Sequence, residues 1–225
     1  MKNLTTSEAV AFVRARLDEI AFSASDMLVS NKDDRNLETT ILSLLPEAIK
    51  TVHLAAPVSL LEGLTLSDSD VTPELEGGYV VIPLEYATFD GLLRLVSFRD
   101  TVNGTGQNVT ELTPEDSMLG RLQKNKYMRG TPENPVLVAR NVPDAHRPEL
   151  FYYGPADVSF SFIMEYIPLP VLKTAQVQQE TVNYYLVAER VSDAILNLLT
   201  GMVLQAYRED EHAAVYIKKT EMEIQ

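Results

Sequence analysis

The sequence predicts an α+β chain in which N- and C-terminal helices pack together and a β-rich insertion occupies the middle. Three observations point there. Apolar residues recur at three- and four-residue steps near both ends, which is the period of one helix face. From Pro57 to about Pro170 that period gives way to short apolar runs separated by Gly, Pro, Asp and Ser. The stretch from Glu180 to Asp210 then runs without a proline. The expected division is a helical body of residues 1–57 and 171–225 around a β-rich domain of residues 58–170.

Near the N-terminus, Thr6 or Ser7 is a suitable helix cap, and Glu8 suits the positive end of the helix dipole. Val10, Val13, Leu17 and Ile20 form the buried stripe of a helix reaching about Phe22. The polar segment SASDMLVSNKDDRN reads as a loop. A second helix begins near Asn36, with Ile41, Leu44, Leu45, Ala48, Val52 and Ala55 on its buried face. Pro46 falls inside that pattern, so it either kinks one helix or opens a new one after Ser43. Pro57 ends the helix.

In the middle, LLEGLTLSDSD, GGYVVIPLEYATFD and GLLRLVSFRDTV read as strands, with turns at Gly77-Gly78 and Asp90-Gly91. The nearly continuous apolar run from Leu92 to Phe98 predicts a strand covered on both faces. Residues 103–135 carry little core of their own, apart from a short helix between Ser117 and Lys126; long loops of this kind are often ordered by a partner. PVLVARN, LFYYG and VSFSFIMEYIPLP add three strands. The last has an apolar face of Val158, Phe160, Phe162 and Met164, ended by Pro168 and Pro170.

From Glu180 to Asp210 one long helix is expected, roughly 45 Å at 1.5 Å per residue. Tyr184, Val187, Val191, Ile195, Leu198 and Met202 would share its central face, with Leu199, Val203 and Ala206 widening the stripe. On that reading Leu198→Asp or Met202→Asp prevents folding. Residues beyond Asp210 would extend the same rod.

The chain has 225 residues, no cysteine and a net charge of -13. Disulfides and thiolate metal sites are excluded, and a general nucleic-acid binder is disfavoured. The first residues lack the apolar run of a signal peptide, and no stretch is long and apolar enough to span a membrane, so synthesis and assembly in a cytoplasm are expected. Only residues 121–147 reverse the charge, with Arg121, Lys124, Lys126, Arg129, Arg140 and Arg147 against Glu133 and Asp144.

Catalytic and metal chemistry finds no convergent set. His53, His146 and His212 lie in three separate regions, and His53 on an apolar helix face reads as a hydrogen-bonded core residue. No Gly-x-Ser-x-Gly elbow and no phosphate loop occur; Gly104-Thr105-Gly106 reads as a hairpin or flexible loop. Asp68 and Asp70 have the spacing that opens a calcium loop, without the rest of the motif. Asp33-Asp34 and Glu115-Asp116 read as solvated pairs. No enzyme and no cofactor are expected. Tyr152, Tyr153, Phe160, Phe162 and Tyr166 read as sheet core. Tyr184 and Tyr185 would cover two faces of the long helix, so one of them is expected at an interface.

Three segments resemble a known family. LETTILSLLPEAIKTVHLAAPVSLLEG, LFYYG and above all VAERVSDAILNLLTGMVLQAYREDEHAAVYIKK are similar to the virion ring proteins at the head–tail junction of crAss-like tailed phages, and more loosely to head–tail adaptors of tailed phages in general. The similarity covers about half of the chain, and its motifs are structural rather than catalytic. The large β-rich middle departs from small adaptors, which leaves open which ring of the neck or tail is meant. The resemblance implies a structural virion protein: a subunit of a homo-oligomeric, twelve-fold ring that contacts the portal and other neck or tail rings and encloses the DNA channel. An acidic wall would let DNA slide past without trapping it. The alternative from the residues alone is a β-rich carbohydrate- or peptide-binding module with helical flanks. For ring closure, the complementary surfaces expected are the basic island (Arg121, Lys124, Lys126, Arg129) and the acidic cluster Glu209, Asp210 and Glu211, with Tyr184 and Tyr185 as further interface candidates.

Overall fold

The structure, a computed structural model, describes residues 1–23, 34–71, 74–76, 79–82, 92–100, 109, 112–125, 127–131, 134–141, 148–153, 162–177 and 180–225. In chain order it begins with β1 (Lys2–Thr5), α1 (Thr6–Ser23) and α2 (Asp34–Ala55), then a 3-10 turn at Val58–Leu60. The middle holds β2 (Leu66–Val71), β3 (Glu74–Glu76), β4 (Tyr79–Ile82), β5 (Leu92–Asp100), β6 (Leu112–Pro114), α3 (Met118–Leu122), β7 (Val136–Asn141), β8 (Pro148–Tyr153) and β9 (Phe162–Pro168). It ends with β10 (Lys173–Val177), β11 (Glu180–Val187), a 3-10 turn at Glu189–Val191, α4 (Ser192–Ala206) and α5 (Asp210–Glu223). The chain is α+β and divides into two compact units, residues 1–64 with 169–225, and residues 65–168.

In the first unit, α1 starts one residue earlier than expected. The Glu8 amide donates to Thr5 Oγ1 at 3.0 Å, so Thr5 closes the first turn, with Glu8 at the third helical position. The unforeseen strand β1 brings Lys2 within 2.7 Å of the Glu8 carboxylate. Val10, Val13, Leu17 and Ile20 are buried as their spacing predicts. α2 passes through Pro46 as one helix, so the residue neither starts a new helix nor ends the old one. Its buried face is Leu37, Ile41, Leu45, Ala48, Ile49 and Val52. Leu44 is only half-buried and Ala55 is exposed, which places the stripe slightly off the expected one.

The long helix expected from Glu180 to Asp210 is not formed. Glu180–Val187 is a strand, paired antiparallel with β1 on one side and β10 on the other. The sequence ETVNYYLV is dense in β-branched and aromatic residues, and such side chains fit a pleated surface better than a helix. Tyr184 and Val187 therefore belong to β11 and share no face with Ile195. The segment Lys173–Val177 before it is β10.

On α4, Ile195, Leu199 and Val203 are buried, whereas Leu198 and Met202 are half-buried. The rod ends again at Tyr207. Arg208 takes φ 65°, its amide donates to Gln205 O at 2.9 Å, and the Glu209 amide donates to Leu204 O at 2.9 Å. These two bonds form a Schellman motif with arginine where glycine is usual. The chain reverses there, and α5 returns along α4. The Thr220 hydroxyl donates to Ala194 O at 3.3 Å, the Asn197 amide donates to the Glu223 carboxylate at 3.0 Å, and a methyl on Gly201 would press on Ile217.

Arg208→Gly is expected to stabilise the protein by about 0.5–1 kcal/mol, because glycine enters the left-handed region without Cβ strain. Urea unfolding checks it: an unchanged or lower midpoint would mean that the turn is not built this way.

The second unit holds two sheets, β2-β9-β5 and β3-β4-β8-β7-β6, antiparallel except for the β6–β7 pair. Leu95 and Phe98 of β5, Met164 and Tyr166 of β9, Leu137 of β7, and Leu150 and Tyr152 of β8 form one core shared by both sheets. Phe98 and Tyr152 meet across it with ring centroids 5.3 Å apart. Of the strand from Leu92, Leu95 and Phe98 are buried and the remaining apolar residues only half-buried, so the expected burial on both faces is not complete. The turns at Gly77-Gly78 and Asp90-Gly91, the Gly104–Gly106 segment, and Val158 and Phe160 lie outside the described residues.

Candidate functional site

Strand alternation sends Leu150 and Tyr152 into the shared core and Phe151 and Tyr153 to the opposite face. There, with Val138, they form a second small apolar cluster. Tyr153 is thus buried on the sheet as expected, in this second cluster rather than in the one that holds Tyr152 and Tyr166.

The basic segment covers that outer face. Ser117 opens α3, its hydroxyl oxygen accepting the Gly120 amide at 3.0 Å. Gly120 is obligatory by contact, since a methyl there would overlap the Pro114 carbonyl oxygen. Gln123, although polar, is buried and acts as the tie of the segment. Its side-chain amide donates to Leu119 O at 3.1 Å, and its side-chain carbonyl accepts the Gly130 amide at 2.7 Å. Arg129 Nε donates to Gln123 O at 3.1 Å, and the guanidinium sits 6.0 Å from the Tyr153 ring centroid. Lys124 pairs with Glu115 at 2.9 Å. Between segment and sheet lies a cavity of about 260 Å³, lined by Glu115, Gly120, Lys124, Arg129, Val138, Phe151 and Tyr153.

The described residues 112–125 and 127–131 are thus better anchored than expected: β6 pairs with β7 and α3 sits on the sheet. The outside of the segment is unusual in another way. Met118 is 81% exposed and Tyr127 84% exposed, and Leu119 and Met128 are also exposed. Large apolar side chains stand in water beside Arg121, Lys124 and Arg129. Charge counting found the cations and missed the apolar residues interleaved with them, although MLGRLQKNKYMR shows both.

The remaining candidates lie elsewhere. Lys126, His146 and Arg147 fall outside the described residues. Tyr184 is half-buried and Tyr185 buried, on opposite faces of β11 rather than on a helix, and burial raises the Tyr185 pKa. Glu209, Asp210 and Glu211 open α5, where the helix dipole favours their charge. Asp68 and Asp70 lie on β2, an extended strand rather than a calcium-binding turn. Among the described residues no group of three His, Asp or Glu could hold a metal ion. His53 is buried as expected, but neither ring nitrogen has a hydrogen-bond partner among the described residues, and burial lowers its pKa to about 4. A groove of about 370 Å³ between α1 and α2 is lined by Val10, Ala11, Leu42 and the Arg14–Glu38 pair.

No helix among the described residues is long and apolar enough to cross a membrane. No protein-family model matches the chain, and the comparison with curated proteins found no significant match.

Proposed function

We propose that this chain is a structural virion protein, a subunit of an oligomeric ring at a phage head–tail junction that links portal to tail and encloses the DNA channel. The observation that carries the self-association is the surface of residues 118–129. Exposed Met118, Leu119, Tyr127 and Met128 there would gain from burial, and the positive charge of the same segment favours an acidic partner surface. A chain with net charge -13 supplies that partner in its own copies. The phage role itself rests on the resemblance, whose longest segment folds as the α4–α5 hairpin. The virion location, the twelve-fold symmetry and the passing contact with DNA belong to the same reading. The glycan- or peptide-binding alternative is less well supported, because Arg129 already covers the Tyr153 ring that would otherwise stack on a ligand.

Arg129 is tied into the fold through Gln123, so charge reversal is best confined to Arg121 and Lys124. Arg121→Glu with Lys124→Glu is expected to leave the subunit folded and to slow or prevent assembly. Exposed pairs contribute about 0–1 kcal/mol each, so charge sets rate and register. Met118→Ser with Tyr127→Ser should weaken assembly at any ionic strength, because it removes the apolar share. Sedimentation at low and high salt, with electron microscopy of the oligomers, separates these effects. Wild-type oligomers in both variants would remove this surface from the interface, and oligomers without closed rings would overturn the ring reading.

A further inference from the structure

α5 is joined to α4 by a short and strained connection. Only Tyr207, Arg208 and Glu209 separate Ala206, the last residue of α4, from Asp210, the first of α5. Arg208 holds φ 65° there, and among the described residues it is the one residue other than glycine with a positive φ. The left-handed conformation crowds Cβ against the backbone, so this turn stores strain that glycine would avoid. From Met202 to Gln225 no glycine or proline occurs, so the reversal rests on Arg208 and on the packing of α5.

That packing is narrow but closely matched. Ten of the fifteen residues of α4 are buried, against only Ala213, Tyr216 and Thr220 among the fourteen of α5, so α5 leaves its place at far less cost than α4 would. Thr220 bonds to the Ala194 carbonyl, Glu223 accepts from Asn197, and Ile217 fills the space that Gly201 leaves. Ala194, Asn197 and Gly201 thus form the complement of α5, and a second copy of the chain carries the same complement.

We infer that α5 is an exchange element: Arg208 leaves the left-handed region, and α5 of one copy packs on α4 of a second copy. Every contact of the hairpin re-forms between chains, so exchange keeps the α4–α5 packing and relieves the strain in each copy. The entropy of association opposes it, and concentration offsets that term; short hinges under strain are the setting in which such swaps arise. The exchange stands apart from the ring reading, and needs neither the virion role nor the surface of residues 118–129.

Disulfide trapping on the full chain tests it. The chain has no cysteine, so Gly201→Cys with Ile217→Cys introduces the only thiols. A Cβ on Gly201 would lie 3.0 Å from Ile217 Cγ1, so the two sulfurs meet wherever α5 packs on α4. Ala194→Cys with Thr220→Cys reads the same interface and leaves Gly201 unaltered. Oxidation at rising protein concentration should give covalent oligomers with both pairs, as a dimer for reciprocal exchange or a ladder for serial exchange. Oligomers joined elsewhere would keep each disulfide within one chain and run as monomers on a denaturing gel. Adding Arg208→Gly, where most chains are still monomeric, should lower the ratio of covalent dimer to monomer about five- to thirtyfold, because the hinge strain that exchange relieves is gone from both copies. Monomer bands at every concentration with both pairs would overturn the exchange, and so would a dimer ratio indifferent to residue 208. Rings that form with the disulfide inside each chain would leave the ring reading standing without exchange; exchanged oligomers without rings would do the reverse.

Discussion

A chain carrying Leu199→Asp is expected to lose the cooperative unfolding transition of its helical unit. Leu199 is 0% exposed and sits on α4 between Ile195 and Val203, on the face that meets α2 and α1. An unpaired carboxylate there loses its hydration without a compensating partner, at a cost of several kcal/mol. Total stabilities are about 5–15 kcal/mol, so the loss is comparable with the whole. Leu199→Ala is the milder probe and should cost about 2–5 kcal/mol. Leu198 and Met202, the residues singled out by periodicity alone, are half-buried, so aspartate there keeps part of its hydration and should be tolerated better. Urea unfolding followed by far-ultraviolet circular dichroism gives the order. A Leu199→Asp chain that unfolds at the wild-type midpoint would show that α4 is not the core of this unit.

The one-residue difference between Leu198 and Leu199 shows where reading the sequence succeeds and where it stops. Period 3.6 was legible from Val191 to Met202, but the stripe was phased by including Tyr184 and Val187, which belong to a strand. Removing those two residues rotates the best face towards Leu199. A run such as ETVNYYLV fits either period over eight residues, and only pairing with β1 and β10 decides it. That pairing is remote in sequence, Lys2 lying opposite Val187, so no local pattern announces it. The break at Arg208 was hidden for a related reason, since glycine or proline would have signalled a stop and arginine does not. The N-terminal helix was legible because its stripe and its Glu8 signal are both local. At the candidate surface, charge could be counted along the chain, whereas exposure of Met118 and Tyr127 depends on α3 lying flat on the sheet through Gly120 and Gln123.

Acid should destabilise this protein through His53, and His53→Leu should remove that sensitivity. His53 lies in the last turn of α2, 1% exposed, with neither nitrogen hydrogen-bonded among the described residues. Burial disfavours the imidazolium, so the folded-state pKa falls from 6.5 to about 4. Above pH 6.5 both folded and unfolded chains hold the ring neutral, and the group adds no pH dependence. Between pH 6.5 and 4 the unfolded chain takes up a proton that the folded chain refuses, so stability falls as pH falls. At about 1.36 kcal/mol per pH unit, the loss reaches roughly 3 kcal/mol near pH 4. Leucine at this position fills an apolar site without leaving two polar atoms unpaired, so it should match or exceed wild-type stability at pH 7.5. At pH 4.5 its advantage should grow by about 2–3 kcal/mol. Every other ionisable group is common to the two proteins, so the difference between the two curves isolates His53. Parallel curves from pH 7.5 to 4.5 would mean that the ring is hydrated or paired in the folded chain, and the α2 packing described above would have to be revised.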